Sequence, residues 1–255
     1  MIRPIHAVLL AAGRGKRLAP HTDRIPKPLL PLNGRPLLEY ALDNLRQAGI
    51  ERVLLVVGYR SNMIRAHFGD GSSIGLSIDY VEQGPVAGTG AATLLAEDFV
   101  GGQPFFLGWG DILSASSEYA RLLDLFVQRE QDGIMLLERV EDPKDGAAIE
   151  CIDGRIRSLV EKPVGLGPSW NQAGLSVYTA SIFSSLRAIP LSERGELEFT
   201  AAVQHSIEGN ALIRGVPLSH PRLHLTRPED ISRVEHALST DRRYAASIAH
   251  STRDD

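Results

Sequence analysis

The chain has a single cysteine, Cys151, in 255 residues. No intrachain disulfide can form, which excludes a fold stapled by bridges and makes a reducing compartment the natural setting. It also lacks any apolar run approaching the roughly 18–20 residues of a membrane span. The first such run, Ala7 to Ala12, is short and leads straight into Gly13 and Arg14, unlike a secretory signal. The expectation is a cytoplasmic protein with no membrane partner. A general basic character is missing too: 27 Lys and Arg stand against 31 Asp and Glu, and the pI is near 6.1. That argues against a nucleic-acid partner. Internal repeats and low-complexity segments are absent. What remains is an ordinary globular composition, 43% hydrophobic and 23% charged, in a chain long enough for one or two domains and a large core.

The charge is unevenly distributed. Residues 1–35 hold seven Lys and Arg against the one acid Asp23, while the rest of the chain holds 20 basic and 30 acidic residues. A basic island in an acidic protein points to a local anionic ligand. Within it, Val8 to Leu10 reads as a buried strand, followed by the loop Gly13-Arg14-Gly15-Lys16-Arg17. Glycines after a strand let backbone N–H groups approach an anion. The loop is not a Walker A motif, because Arg17 follows Gly15-Lys16 and the GxxxxGK spacing is absent. Nor is it a dinucleotide fingerprint, since the third glycine is missing. A solvated basic turn and an anion-binding loop both remain open on these residues alone. Further on, Pro26-Lys27-Pro28 holds a cation on a stiff backbone.

Beyond the loop, Asn33-Gly34 marks a turn and Pro36 the first turn of a helix that Gly49 stops. Val53 to Val57 is a continuous apolar strand. Ser61 is placed as the cap of a short helix, and Leu76, Ile78 and Tyr80 alternate as a strand. Gly88-Thr89-Gly90 opens a helix, Pro104 to Trp109 is a strand ending at Gly110-Asp111, and a helix over about 118–131 precedes the strand Ile134 to Val140. This strand–helix rhythm predicts a mostly parallel α/β sheet. Then the rhythm changes. A hairpin over 147–160 turns at Asp153-Gly154. A strand over 173–178 and a helix to about Leu186 come next, then a helix near 198–208, a strand over 211–216 and a helix over 228–238. Residues 241–255 read as a polar tail. No linker stands out, so the expectation is one domain over 1–240 with a β-rich insertion.

Read together, LAAGRGKRLAPHTDRIPKPLLPLNGRPLLEY resembles the signature of the sugar-1-phosphate nucleotidylyltransferases: L-A-A-G-x-G-x-R-L-x-P, then P-K-P, then a G-x-P-L helix start. Later blocks agree in order: Glu82-Gln83 with Gly88-Thr89-Gly90, Gly110-Asp111, Gly146, Val160-Glu161-Lys162-Pro163, Asn171-Gln172-Ala173-Gly174, Gly195-Glu196 with Phe199-Thr200, and Thr226-Arg227-Pro228-Glu229-Asp230. The resemblance spans about residues 5–238. It implies a three-layer α/β/α sandwich around a mixed, mostly parallel Rossmann-like sheet with a small β-rich sugar-binding insertion, its nucleotide-binding half about 1–111 and its sugar-binding half about 112–240.

The family's reaction joins an NTP to a sugar 1-phosphate with release of pyrophosphate and uses Mg2+. By resemblance, Leu10, Ala11, Ala12, Gly13 and Gly15 line the nucleotide site. Arg17 binds the β- and γ-phosphates, Lys27 sits at the α-phosphate and the sugar phosphate, and Asp111 holds the metal. Gln83, Gly88 and Thr89 meet the base, with UTP or dTTP favoured. Glu161, Lys162, Asn171 and Gly146 face the sugar phosphate. A homo-oligomer is a further implication.

One position departs from the pattern. Four residues before Pro228, where the family usually carries a second metal-binding Asp, stands His224, and imidazole is a poorer Mg2+ ligand than carboxylate. Three readings follow: a shifted register, a metal held by Asp111 with phosphates and water, or a weakened homologue that senses nucleotide or sugar phosphate without turnover. A transferase for a non-sugar phosphate, such as a cyclitol phosphate or phosphocholine, is the remaining alternative.

Overall fold

The computed structural model describes residues 2–84 and 87–245. Strand β1 (His6–Ala11) leads into the basic loop, and a short hairpin, β2 (Pro31–Leu32) and β3 (Arg35–Pro36), turns at Asn33-Gly34. Next come α1 (Leu37–Gln47), β4 (Arg52–Val57), α2 (Ser61–Phe68), β5 (Ser77–Glu82), α3 (Thr89–Leu94), α4 (Glu97–Val100), β6 (Phe105–Trp109) and α5 (Ser116–Val127). The remainder is β7 (Gly133–Val140), β8 (Ala147–Ile152), β9 (Arg155–Glu161), β10 (Ser169–Tyr178), α6 (Ile182–Ala188), α7 (Phe199–Glu208), β11 (Ile213–Pro217), α8 (Asp230–Thr240) and α9 (Arg242–Ala245).

The strands form one mixed sheet in the order β5-β4-β1-β6-β10-β7-β11-β9-β8. From β5 to β6 all neighbours are parallel, and β10 enters antiparallel between β6 and β7. That reversal positions the site: the first residues of β10 lie beside the carboxyl ends of β6 and β7, where open α/β sheets bind ligands. Successive side chains of a strand face opposite ways, and here both faces are covered. Ala7, Leu9, Val53, Leu55 and Val57 pack with α1, α2 and α5, while Val8, Leu54 and Val56 pack with α3, α6 and α7. This is why β4 reads as an unbroken apolar run. A third cluster joins Leu18, Leu30 and Leu32 to Leu113, Leu225, Val234 and Leu238, so the chain after the basic loop is anchored on α8.

Three local expectations are corrected. Helix α5 stops at Val127, not near residue 131. The Gln131 amide donates to the carbonyls of Leu125 and Phe126 at 3.0 and 2.9 Å, satisfying helix-end acceptors that would otherwise need a further turn. Strand β10 begins at Ser169, four residues before Ala173. The residue capping α2 is Arg60 at φ 54°, and the Ser61 hydroxyl donates to Glu82 at 2.5 Å instead. The hairpin β8–β9 joins the sheet through Arg155–Arg214 and Ile149–Trp170 pairings. Of the polar tail, residues beyond 245 lie outside the described residues.

Candidate active site

The basic loop and the Pro-Lys-Pro segment form one structure. Gly15 has φ 68°, and a Cβ there would stand 2.9 Å from Cβ of Lys27. Only glycine accommodates both the left-handed backbone and that approach. The Gly15 carbonyl accepts from the Leu18 N–H and the Thr22 hydroxyl, each at 2.9 Å. Lys27 opens a short turn after Pro26, and its side chain lies along the loop and is only 16% exposed. The basic island itself divides. Lys16, Arg17 and Lys27 line the cleft, whereas Arg14 stacks on Tyr59 and Arg3 and Arg35 pair with Asp124 and Glu39.

At the floor of the cleft, Lys27 Nζ meets Asp111 Oδ2 at 2.6 Å. Asp111 follows β6 directly, and the Gly110 N–H donates to Leu10 at 2.9 Å, so the acid is held beside the first strand. Among the described residues no three His, Cys, Asp or Glu side chains converge as a metal cage. Among the described residues Asp111 Oδ1 carries no hydrogen bond, and its side chain is 37% exposed. One outward carboxylate in a cleft lined by cations suits Mg2+, which keeps most of its water and takes few protein ligands. Arg17 is different: it is well exposed and reaches Asp145 across the cleft at 3.5 Å.

Gln83 Nε2 donates to the Gly88 carbonyl at 3.1 Å. At Gly88, φ 107°, a Cβ would lie 2.3 Å from the Leu197 carbonyl oxygen, so its missing side chain makes room for the backbone of 196–198. The Gly90 N–H donates to that same carbonyl at 2.8 Å, and Thr89 Oγ1 accepts from the Phe199 N–H at 3.3 Å. The two walls are stitched together at this point.

On the far wall, Glu161 accepts from Thr200 Oγ1 at 2.5 Å and lies 3.7 Å from Arg194. Burial pushes the Glu161 carboxyl up, and Glu198 adds to this, so its pKa stays raised despite Thr200, Lys162 and Arg194. Lys162 is held by its N–H to the Gly146 carbonyl at 2.7 Å, and Asn171 Oδ1 accepts from Ala147 at 3.1 Å.

His224 lies next to the Asp111 turn in register, because Leu223 bridges Leu113 antiparallel with a 2.8 Å hydrogen bond. That register sets His224 across from Ile112, one residue past Asp111. The imidazole itself is engaged elsewhere: Nε2 is 3.2 Å from Glu138, which also pairs with Arg222. Burial raises the Glu138 pKa, but the hydrogen bond from His224 and the Arg222 charge outweigh it and hold the carboxyl below its ordinary value.

Every residue given a role from the sequence lines one cleft of about 720 Å3: Leu10, Ala11, Ala12, Gly13, Gly15, Arg17, Lys27, Gln83, Gly88, Thr89, Asp111, Gly146, Glu161, Lys162 and Asn171. Arg222, Trp109, Gln172, Glu198 and Thr226 line it too and were given no role. Thr200, which binds Glu161, was noted only as part of a block. Arg222 and Trp109 carry no local motif, whereas Glu198 sits inside the Gly195–Thr200 block.

The nucleotidyl transferase family pattern matches residues 6–215. The chain is 31% identical over 237 residues to the low-salt glycan biosynthesis nucleotidyltransferase Agl11 of Haloferax volcanii, covering 92% of this chain and 66% of that protein. It is 34% identical over 216 residues to a glucose-1-phosphate thymidylyltransferase of Streptomyces griseus, covering 84% and 60%. The chain thus spans less than two thirds of the length of these relatives. Against the UTP–glucose-1-phosphate uridylyltransferase AglF of Haloferax volcanii, identity is 30% over 243 residues, with 93% and 98% covered. Among solved structures, a putative glucose-1-phosphate thymidylyltransferase of Bacillus anthracis superposes with a TM-score of 0.82 at 25% identity, covering 94% of this chain and 99% of that one. By these matches, and by the cleft that gathers its signature residues, the chain belongs to the nucleotidyl transferase family.

Proposed function

We propose that this chain joins a nucleoside triphosphate to a sugar 1-phosphate, giving an NDP-sugar and pyrophosphate. The observation that carries the reading is the Lys27–Asp111 pair at the floor of the cleft, 2.6 Å apart where the phosphate loop meets the end of β6. A phosphate oxygen of the sugar 1-phosphate attacks the α-phosphorus, and the bond to the bridging oxygen of pyrophosphate breaks. That nucleophile is already anionic near neutral pH, because a phosphomonoester's second pKa is about 6. No general base is needed. The protein's task is to hold two polyanions in line and stabilise the charge that develops.

Leu10 to Gly15 offer backbone to the nucleotide, Arg17 takes the β- and γ-phosphates, and Lys27 reaches the α-phosphate. Asp111 would hold Mg2+, which neutralises charge on the leaving pyrophosphate. Gln83, Gly88 and Thr89 bound the base. UTP or dTTP is the proposed donor, in keeping with the uridylyl- and thymidylyltransferases among the relatives. Glu161, Lys162, Asn171 and Gly146 face the sugar phosphate.

We read residues 1–240 as one three-layer domain with a nucleotide half to about residue 111, a sugar half after it, and β8–β9 as the sugar-side insertion. A cytoplasmic setting and a homo-oligomer belong to the same proposal. The test is pyrophosphate release with Mg2+ across a panel of NTPs and sugar 1-phosphates, with phosphocholine included. Turnover with at least one sugar 1-phosphate is expected. Turnover with phosphocholine alone, or nucleotide binding without turnover, would contradict the reading.

A further inference from the structure

One cation on the carboxy-terminal wall stands outside the roles given above. Arg222 lines the cleft, and its side chain is 17% exposed. Its backbone is fixed from both directions. Downstream, Leu223 bonds Leu113, two residues past Asp111. Upstream, the fully buried Glu118 accepts the N–H groups of Ser219 and His220 at 2.8 and 3.0 Å. The guanidinium is pinned as well: one nitrogen pairs with Glu138 and another donates to the Ala173 carbonyl at 3.4 Å. Glu138 is only 11% exposed and is held in turn by His224.

A guanidinium carries five N–H donors. These contacts commit two of them, and Nε has no partner among the described residues. A buried Arg–Glu pair contributes little net stability, because desolvating both charges offsets their attraction. Stability alone therefore does not account for placing this pair in the cleft wall. Orientation does: a planar fork with spare donors, fixed on one edge by a carboxylate, is preorganised for an anion's oxygens.

We propose that Arg222 is a further phosphate-binding cation of this cleft, beside Arg17, Lys27 and Lys162, and that Glu138 is the positioning residue that aims it. The ligand chemistry is a phosphate group, supplied by the sugar 1-phosphate or by pyrophosphate. The inference rests on the nucleotidyl-transfer reading. It also gives His224 a place: its imidazole, 3.2 Å from Glu138, holds the carboxylate that pairs with Arg222.

The test is calorimetric titration of the whole chain with glucose 1-phosphate and, separately, with magnesium pyrophosphate. The proteins are wild type, Arg222→Gln, Arg222→Lys, Glu138→Gln and the double variant Glu138→Gln/Arg222→Gln. The double variant leaves no unpaired buried charge, so it carries the comparison if a single variant unfolds. Arg222→Gln is expected to weaken one anion about tenfold, as loss of a charge-assisted contact does, and the arm that weakens names the phosphate. Arg222→Lys recovers part of the loss. Glu138→Gln weakens the same arm about threefold and adds nothing in the Arg222→Gln background, the non-additivity of residues acting as a unit.

Wild-type affinity for both anions in the folded Arg222→Gln or double variant would overturn the proposal, as would a wild type that binds neither. The two readings fail separately. A wild type that binds these anions but turns over no substrate pair sinks the transferase reading alone. Turnover by wild type, with KM and kcat for both substrates unchanged in Arg222→Gln, sinks only this one.

Discussion

The two walls of the cleft are built by different means. The amino-terminal wall is local: Gly15 and Lys27 touch although only a dozen residues apart, and Asp111 is brought in by one strand pairing, β1 with β6. Its polar groups are backbone amides and cations on stiff loops. The carboxy-terminal wall is a set of ion-pair networks between distant residues, Glu161 with Thr200 and Arg194, and Glu138 with Arg222 and His224. Such a division suits the proposed chemistry. The triphosphate end is the same whatever the sugar, so a rigid cradle serves it. Acceptor recognition depends on which hydroxyls and phosphates are met, and paired charges around the acceptor can be altered one pair at a time.

Substitutions in the two walls should therefore differ in kind as well as in size. The largest effect is expected at Asp111. Asp111→Asn should lower kcat about 10^2-fold or more at saturating Mg2+, the scale of losing one preorganised charge-stabilising group, and steady-state kinetics against Mg2+ concentration would check it. A near-normal rate would remove Asp111 from the metal site. Gly15→Ala comes next. It forces a side chain into a left-handed backbone and against Lys27, costing on the order of 1–3 kcal/mol in stability. Denaturant unfolding should show that loss together with a lowered kcat.

On the other wall, Glu161→Gln should act oppositely on stability and function. The folded-state pKa of Glu161 is raised by burial, so the folded chain holds this proton more tightly than the unfolded chain. Its stabilising contribution is complete below the ordinary value near 4.5 and is lost as pH rises through the raised value. At neutral pH the ionised carboxylate is a cost. The variant's Tm relative to wild type should therefore climb between pH 4 and pH 8, while its KM for the sugar phosphate rises. The smallest effect is expected at the exposed Arg17–Asp145 contact. Asp145→Ala should change stability by less than about 0.5 kcal/mol, and a larger loss would mean that the contact closes the cleft.

The same contrast explains what was legible in the sequence. Local devices leave local signals: the glycine loop, Pro26-Lys27-Pro28, the strand-ending Asp111 and the Asn33-Gly34 and Asp153-Gly154 turns can all be read within a few residues. The double burial of β4 was legible as a continuous apolar run. Glu138 and Arg222 left no such trace, because their meaning comes from a sheet order that puts β10 between β6 and β7 and from a return segment pinned by Glu118. The ends of α5 and β10 were misread for a related reason. Gln131 replaces a helical turn with side-chain hydrogen bonds, and residues 169–172 follow Gly167-Pro168, which reads as loop until β7 is beside it. Gly88 was recognised as necessary, but the group it makes room for, the Leu197 carbonyl, lies more than a hundred residues away.

The central claim is that the amino-terminal wall carries the transfer step and that Lys27 acts on the reacting phosphorus. It is tested most directly by the single-turnover rate of Lys27→Ala with both substrates saturating. The account predicts a rate about 10^2-fold or more below wild type, with binding of the sugar phosphate little changed. A wild-type single-turnover rate, with the whole effect confined to KM, would contradict it.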